Sequence, residues 1–220
     1  MIAVANQVVS SRSAKVALAV VLAVWFALAA AAGATGILST GPDTLARPVL
    51  VSVVVPIAVF LALYAGSHRF RSFILTRDIR VATMLQLWRV IGFAFLPLYA
   101  YGVLPGLFAW PAGLGDVAIG LSAPFVVLAL TRDPAFAHSR RFVVWHLLGL
   151  LDFVVAAGTA TLASGALPGL VAGSVTSAAM EVWPLSLFPS FIVPLFVILH
   201  LTVLFQVRAL RRAAASENLA

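Results

Sequence analysis

Long apolar runs, separated by short clusters of charge, set the pattern of this chain. Six runs stand out, at about 16–38, 49–66, 84–104, 116–130, 142–162 and 184–207. Most approach the roughly 20 residues that a helix needs to cross the hydrocarbon of a bilayer. The pattern predicts an all-α polytopic membrane protein: a single transmembrane domain over residues 1–220, built as a bundle of about six helices. The segment LPGLFAWPAGLGD at 104–116 holds two prolines and three glycines. Such residues punctuate helices, so it reads as a connection between the third and fourth runs, with Trp110 at the headgroup belt. Residues 164–182 read as a second long connection on the same side, small, flexible and uncharged except for Glu181.

The charges between the runs alternate. One set of loops holds Arg12, Lys15, Arg69, Arg71, Arg77, Arg80, Arg132, Arg140, Arg141, Arg208, Arg211 and Arg212, and the opposite set holds only Arg47. Basic loops favour the cytoplasmic side, which predicts that both termini lie in the cytoplasm. An odd number of spans would break the alternation. The basic start and the small-residue stretch at 29–36 also fit a signal peptide. The first apolar run is longer than the usual 7–15 residues of such a segment, so it reads as an uncleaved helix.

Composition agrees and narrows the classes. Hydrophobic residues make up 63% of the chain and the mean hydropathy is +1.11, too apolar for a soluble core of this size to hide. Cys is absent, which removes disulfides, thiolate metal sites and catalytic thiols. The net charge of +7 sits in loops where it meets lipid headgroups, not in a groove with interleaved aromatics. The expected partner is the lipid bilayer and not nucleic acid. The small face Ala29/Gly33 permits a homo-oligomer.

Ionisable groups inside a span are costly and usually face the bundle interior. Asp152 is the clearest, about 16 Å along a helix from Arg141 at 1.5 Å per residue, on a small-residue face with Gly149, Ala156 and Thr159. It reads as a proton- or cation-handling carboxylate, or equally as a neutral acid that packs helices. Arg89 shares an α-helical face with Gln86, Phe93 and Ala100. It reads as a partner for Asp152 or an anion anchor, with snorkelling to the headgroups as the plainer alternative. His200 lies on a face with Ser186, Ser190, Val193 and Val197, a polar track in a helix kinked by Pro189 and Pro194. Asp116 reads as a contact at the outer mouth or simply as a helix N-cap. His146 lies at the depth of His200 on the preceding span, so the two are candidate metal or haem ligands. On a helical wheel His146 is about 120° from Asp152, too far apart to serve one pocket directly.

No phosphate-binding loop, dinucleotide fingerprint, HExxH or nucleophile elbow is present, which makes an enzyme the less favoured class. The sequence names no cofactor. The segments QLWRVIG (86–92), FAWPAGLGD (108–116), WHLLGLLD (145–152) and PSFIVPLFVILH (189–200) together resemble a group of small bacterial multi-pass membrane proteins described as uncharacterised. The resemblance implies an inner-membrane location and no assigned activity. The leading reading is transport or permeation of a small solute or ion through a site built from Asp152, Arg89, His200, Asp116 and Ser190. The first alternative is a membrane-embedded haem or metal redox protein with His146 and His200 as ligands. The second is a structural or accessory subunit.

Overall fold

Helix-ending glycines and helix-starting caps divide the chain into its spans. The computed structural model describes residues 2–40, 44–166 and 175–217, and side chains from residue 13 to 212. Residues 167–174 of the predicted second connection lie outside the described residues. Among those described, six helices are long and apolar enough to cross a membrane: Ser13–Ala34, Arg47–Gly66, Ile79–Ala100, Gly106–Arg132, Arg140–Leu162 and Phe188–Arg212 (spans 1 to 6). Span 1 belongs to a longer helix, Ile2–Ala34, and span 6 runs into Val193–Glu217. A short helix, His68–Leu75, links spans 2 and 3.

Spans 1 and 3 stop in the same way. Gly36 and Gly102 have positive φ, 75° and 69°. In each case the glycine N–H and the next N–H fold back on the last helical turn, with Ile37 N bonded to Ala32 O at 3.1 Å and Val103 N to Leu98 O at 2.8 Å. Only glycine adopts this left-handed cap without strain. The starts of the linking helix and of spans 3 and 5 are capped by side chains: Ser67 accepts from Phe70 N, Asp78 from Arg80 N and Ser139 from Phe142 N. These caps satisfy N–H groups that a helix leaves orphaned.

The two ends of the bundle are tied separately. At the basic end, Gln206 of span 6 donates to Ile74 O and Arg77 O at 2.9 and 2.8 Å, and Arg211 donates to His138 O at 2.7 Å. At the other end, Glu181 accepts from both Thr40 N and Thr40 Oγ1, at 2.6 and 3.0 Å. Each end has its own apolar cluster, Phe95, Leu104, Phe108, Ala109, Ala112, Ala163 and Met180 at the weakly charged end, and Ala82, Leu130, Ala137, Phe142, Val203 and Val207 at the basic end. The outward surface is apolar as well, with Trp88, Phe125 and Val154 all about two-thirds exposed or more, as befits a chain whose solvent is lipid.

Two expectations are corrected. Span 4 begins at Gly106, ten residues before the predicted start, with Pro111 inside the helix. The glycines of 104–116 serve close helix approach rather than a loop: a Cβ on Gly113 would lie 3.2 Å from Gly92 O. Asp116 is therefore no N-cap. It sits about 15 Å into the helix at 1.5 Å per residue. The small face of span 1 is used within the chain: Ala29 and Gly33 are buried, and a Cβ on Gly33 would collide with Ser186. Trp25 of the same span donates to Ser190 O at 3.1 Å and meets Phe191 edge-on.

The interior of span 3 departs from an α-helix. Residues Leu85–Ala94 form a 3-10 helix, far longer than the 3–4 residues usual for that form. With about three residues per turn, every third side chain shares a face. Thr83, Gln86, Arg89, Gly92 and Phe95 all lie on that face and all are buried. Phe93 and Ala100, expected beside Arg89 by α-helical spacing, are exposed. Span 6 opens with a π-helical turn, Phe188–Ile192.

Candidate functional site

Arg89 is the centre of a polar layer between the two apolar clusters. Its side chain has no solvent exposure, so it does not snorkel. Its Nε donates to Asp116 Oδ1 at 2.7 Å. Its Nη2 donates to Asp152 Oδ2. Its Nη1 faces both Gly149 O and His200 Nε2, each at 3.2 Å. The Phe153 ring covers the guanidinium face, with Cζ 4.0 Å from the ring centroid. One forked cation thus binds groups from spans 4, 5 and 6. Lysine could not do the same, because its ammonium is a point charge without the planar fork.

Three glycines make these contacts sterically feasible. A Cβ on Gly92 would strike the Asp116 carboxylate, one on Gly115 the Asp152 carboxylate, and one on Gly149 the His200 ring, with Arg89 Nη1 at 3.2 Å. Each span brings a glycine against the polar side chain of a neighbour. By contrast, a Cβ on Gly158, on the same helix as Gly149, would meet nothing within 4 Å.

The layer continues toward the basic end through two imidazoles. His146 Nδ1 and His200 Nδ1 lie 2.8 Å apart, and both residues are fully buried. Arginine only donates, so His200 Nε2 accepts from it. With both rings neutral, the His200 proton is then on Nδ1 and points at His146 Nδ1. That leaves His146 with its proton on Nε2, a buried position that has no hydrogen-bond partner among the described residues. Phe142 and Trp145 pack edge-on against the His146 ring, and Trp145 Nε1 donates to Ser122 Oγ at 2.8 Å. His146 and Asp152 enter one network only through His200 and Arg89 as intermediates.

The predicted site residues divide. Arg89, Asp116, Asp152, His200 and His146 come together. Asp116 is not at an outer mouth but shares the guanidinium with Asp152. Ser190 lies apart, in the π-helical turn, where its Oγ donates to Ser186 O at 2.6 Å. Gly92, Gly115, Phe153 and Glu181 belong to the site or its surroundings and were not singled out from the sequence as site residues. For the glycines the available signal was adjacency: Gly115 precedes Asp116, and Gly92 follows Arg89 by three. Among the described residues no group of three or more His, Cys, Asp or Glu is placed to hold a metal ion.

A cavity of about 440 Å³ leads to this layer from the weakly charged end. Its walls are almost wholly apolar, and its lining includes Arg89, Asp116 and Phe153 in the bundle interior and Glu181, Ser177 and Ser164 at the far end. Most lining side chains come from spans 2 to 6, and the rest from the segments before span 2 and after span 5.

The family model described as Domain of unknown function (DUF8737) matches residues 46–208, so the chain belongs to that family. The match takes in spans 2 to 5 and most of span 6, with all five residues of the polar layer, and leaves span 1 outside. No curated protein and no solved structure matches the chain.

Proposed function

We propose that this member of a family of unknown function is a transport protein of the bacterial inner membrane, moving a small solute or ion through the Arg89 site. The basic end and both termini face the cytoplasm in this reading, supported by the asymmetry of the loop charges.

The observation that carries the reading is the sharing of one guanidinium by two carboxylates in the bundle interior. A charge is expensive in such surroundings, and a surplus charge more so. With both carboxylates ionised, Arg89, Asp116 and Asp152 sum to one negative charge. One proton or one monovalent cation makes the triad neutral. A site that needs one extra positive charge to become neutral is suited to exchanging that charge during a transport cycle. His200 and His146 act as positioning residues: His200 accepts from the guanidinium at Nε2 and donates from Nδ1 to His146 Nδ1, and the pair holds the fork while the carboxylates change state. The cavity supplies a path to Asp116 from the weakly charged end.

The redox alternative gains nothing from the geometry. The two imidazoles are bonded to each other through Nδ1, and the second nitrogen of His200 is engaged by Arg89. Joint ligation of a metal would first require the rings to part.

The test is dissipation of an imposed proton gradient in liposomes that enclose a pH-sensitive dye. Wild-type protein is expected to collapse the gradient, and Asp152→Asn to do so at the rate of empty liposomes while eluting as a folded species in detergent. Full flux in Asp152→Asn would remove the carboxylate from the mechanism and leave the accessory-subunit reading, in which the polar layer only packs helices.

A further inference from the structure

We infer that the cavity takes a hydrophobic organic cation, with its positive centre at Asp116 and its apolar body along the walls. The inference names a substrate class for the transport reading and rests on it. Four observations converge on that chemistry.

The first is which atoms face the space. The Arg89 side chain is 0% exposed whereas that of Asp116 is 14% exposed. Although both line the cavity, the accessible polar surface at the floor is a carboxylate and not a guanidinium. Phe153 lies over the guanidinium face and screens it further. An anion entering here would meet acceptor oxygens and would find the cation already enclosed.

The second is the charge balance of the whole lining. Glu181 joins Asp116 among the lining residues, and Arg89 is the one basic member among those described. With all three ionised the lining sums to one negative charge, and Asp152, behind Arg89 and outside the lining, adds a second. Electrostatic complementarity then selects a positive guest.

The third is the wall. Phe95, Phe108, Phe153, Phe188 and Phe196 all line the space. Aromatic faces attract organic cations, most strongly where the site is desolvated. A small hydrated ion gains nothing from such a wall, because it has no apolar surface to bury. The volume, about 440 Å³, falls in the range of roughly 300–1,000 Å³ that holds drug-sized ligands.

The fourth is access. Leu50 of span 2 and Val154 of span 5 line the cavity and are also exposed on the outer, lipid-covered surface, at 39% and 67%. A guest that partitions into the bilayer reaches the site through this side without crossing the apolar wall from water.

Two probes of matched shape and opposite charge test the inference: tetraphenylphosphonium and tetraphenylborate. Equilibrium dialysis of the purified protein in a non-ionic detergent is expected to show saturable binding of the phosphonium and only detergent-like partitioning of the borate. Asp116→Asn should weaken phosphonium binding at least tenfold, and Asp116→Glu should retain most of it. Ala112→Trp, which fills the space without changing a charge, should also abolish binding. Should Asp116→Asn fail to fold, Glu181→Gln reports on the outer end, with a smaller loss expected. Equal binding of both probes, or phosphonium binding indifferent to Asp116→Asn and Ala112→Trp, overturns the inference. The liposome assay fails or succeeds independently. Proton flux that depends on Asp152 without selective phosphonium binding keeps transport and discards the cation. Selective binding without flux keeps a cation site and discards proton-linked transport.

Discussion

At the scale of single residues, Arg89 is held by charge balance more than by burial. It makes ion pairs with Asp116 and Asp152 while fully enclosed. Enclosing these charges has a large desolvation cost, so the network stabilises the fold only while all its members are present. Arg89→Met would leave two carboxylates facing each other with no cation. Removing one partner of a buried pair typically costs about 3–5 kcal/mol, and a drop of that order in detergent thermal or denaturant unfolding is expected here. The triple variant Arg89→Met, Asp116→Asn, Asp152→Asn has no unpaired charge. It should recover most of that stability but none of the proton flux. If the triple variant is no more stable than Arg89→Met, charge balance is not what holds the layer. The sequence exposed these residues because ionisable side chains are rare inside apolar runs, and a cation with an anion at middle depth invites a pair. It placed Asp116 in the site only as a contact at the outer mouth, not as a partner of Arg89. The Pro and Gly residues around it mimic a loop, and only the packing of Gly113 against Gly92 O shows them to be a helix surface.

At the scale of elements, the decisive departure is the 3-10 segment of span 3. An α-helix advances about 3.6 residues per turn, which from Arg89 puts Phe93 inward and Phe95 outward. The 3-10 form, with about three residues per turn, reverses the two. Phe95 is 3% exposed and Phe93 is 58% exposed. Nothing in the composition of LQLWRVIGFA announces a 3-10 helix, because the choice is made by the neighbours. Arg89 must reach spans 4, 5 and 6 at once, and Gly92 must lie under Asp116. The phase can be measured, since a chain with no Cys accepts single cysteines without background. Spin labels at Phe93→Cys and Phe95→Cys in lipid bilayers should differ: high oxygen collision at the first, low at the second. The opposite order would restore the α-helical phase and the inward face first read from the sequence. The π-helical turn at Phe188–Ile192 is likewise silent in the sequence. Pro189 and Pro194 marked a kink there, but not which helical form would take it up.

At the scale of the whole molecule, the bundle has two chemically different ends, and the loop charges bear on which end faces which compartment. Basic loops resist transfer across the membrane, so the end with Arg69, Arg71, Arg77, Arg80, Arg132, Arg140 and Arg141 should remain in the cytoplasm. The end that closes with Thr40 on Glu181 should then face outward, and the cavity, which begins near Glu181, would reach Asp116 from that side. Six spans, an even number, would put both termini with the basic loops. The six-helix architecture was legible because lipid imposes a coarse rule: length and apolarity are one-dimensional properties of a sequence. The contacts between spans are not, which is why the count of helices was readable and the inward face of span 3 was not. Orientation is tested with cysteines at exposed positions of each end, Ile37→Cys at the weakly charged end and Ala135→Cys at the basic end. In intact cells a membrane-impermeant maleimide should label Ile37→Cys and leave Ala135→Cys unmodified until the membrane is permeabilised. The reverse pattern would open the cavity to the cytoplasm, and the Arg89 site would then load its solute from inside. Labelling of both in intact cells would mean a mixed orientation, and the charge asymmetry would no longer give the site a direction.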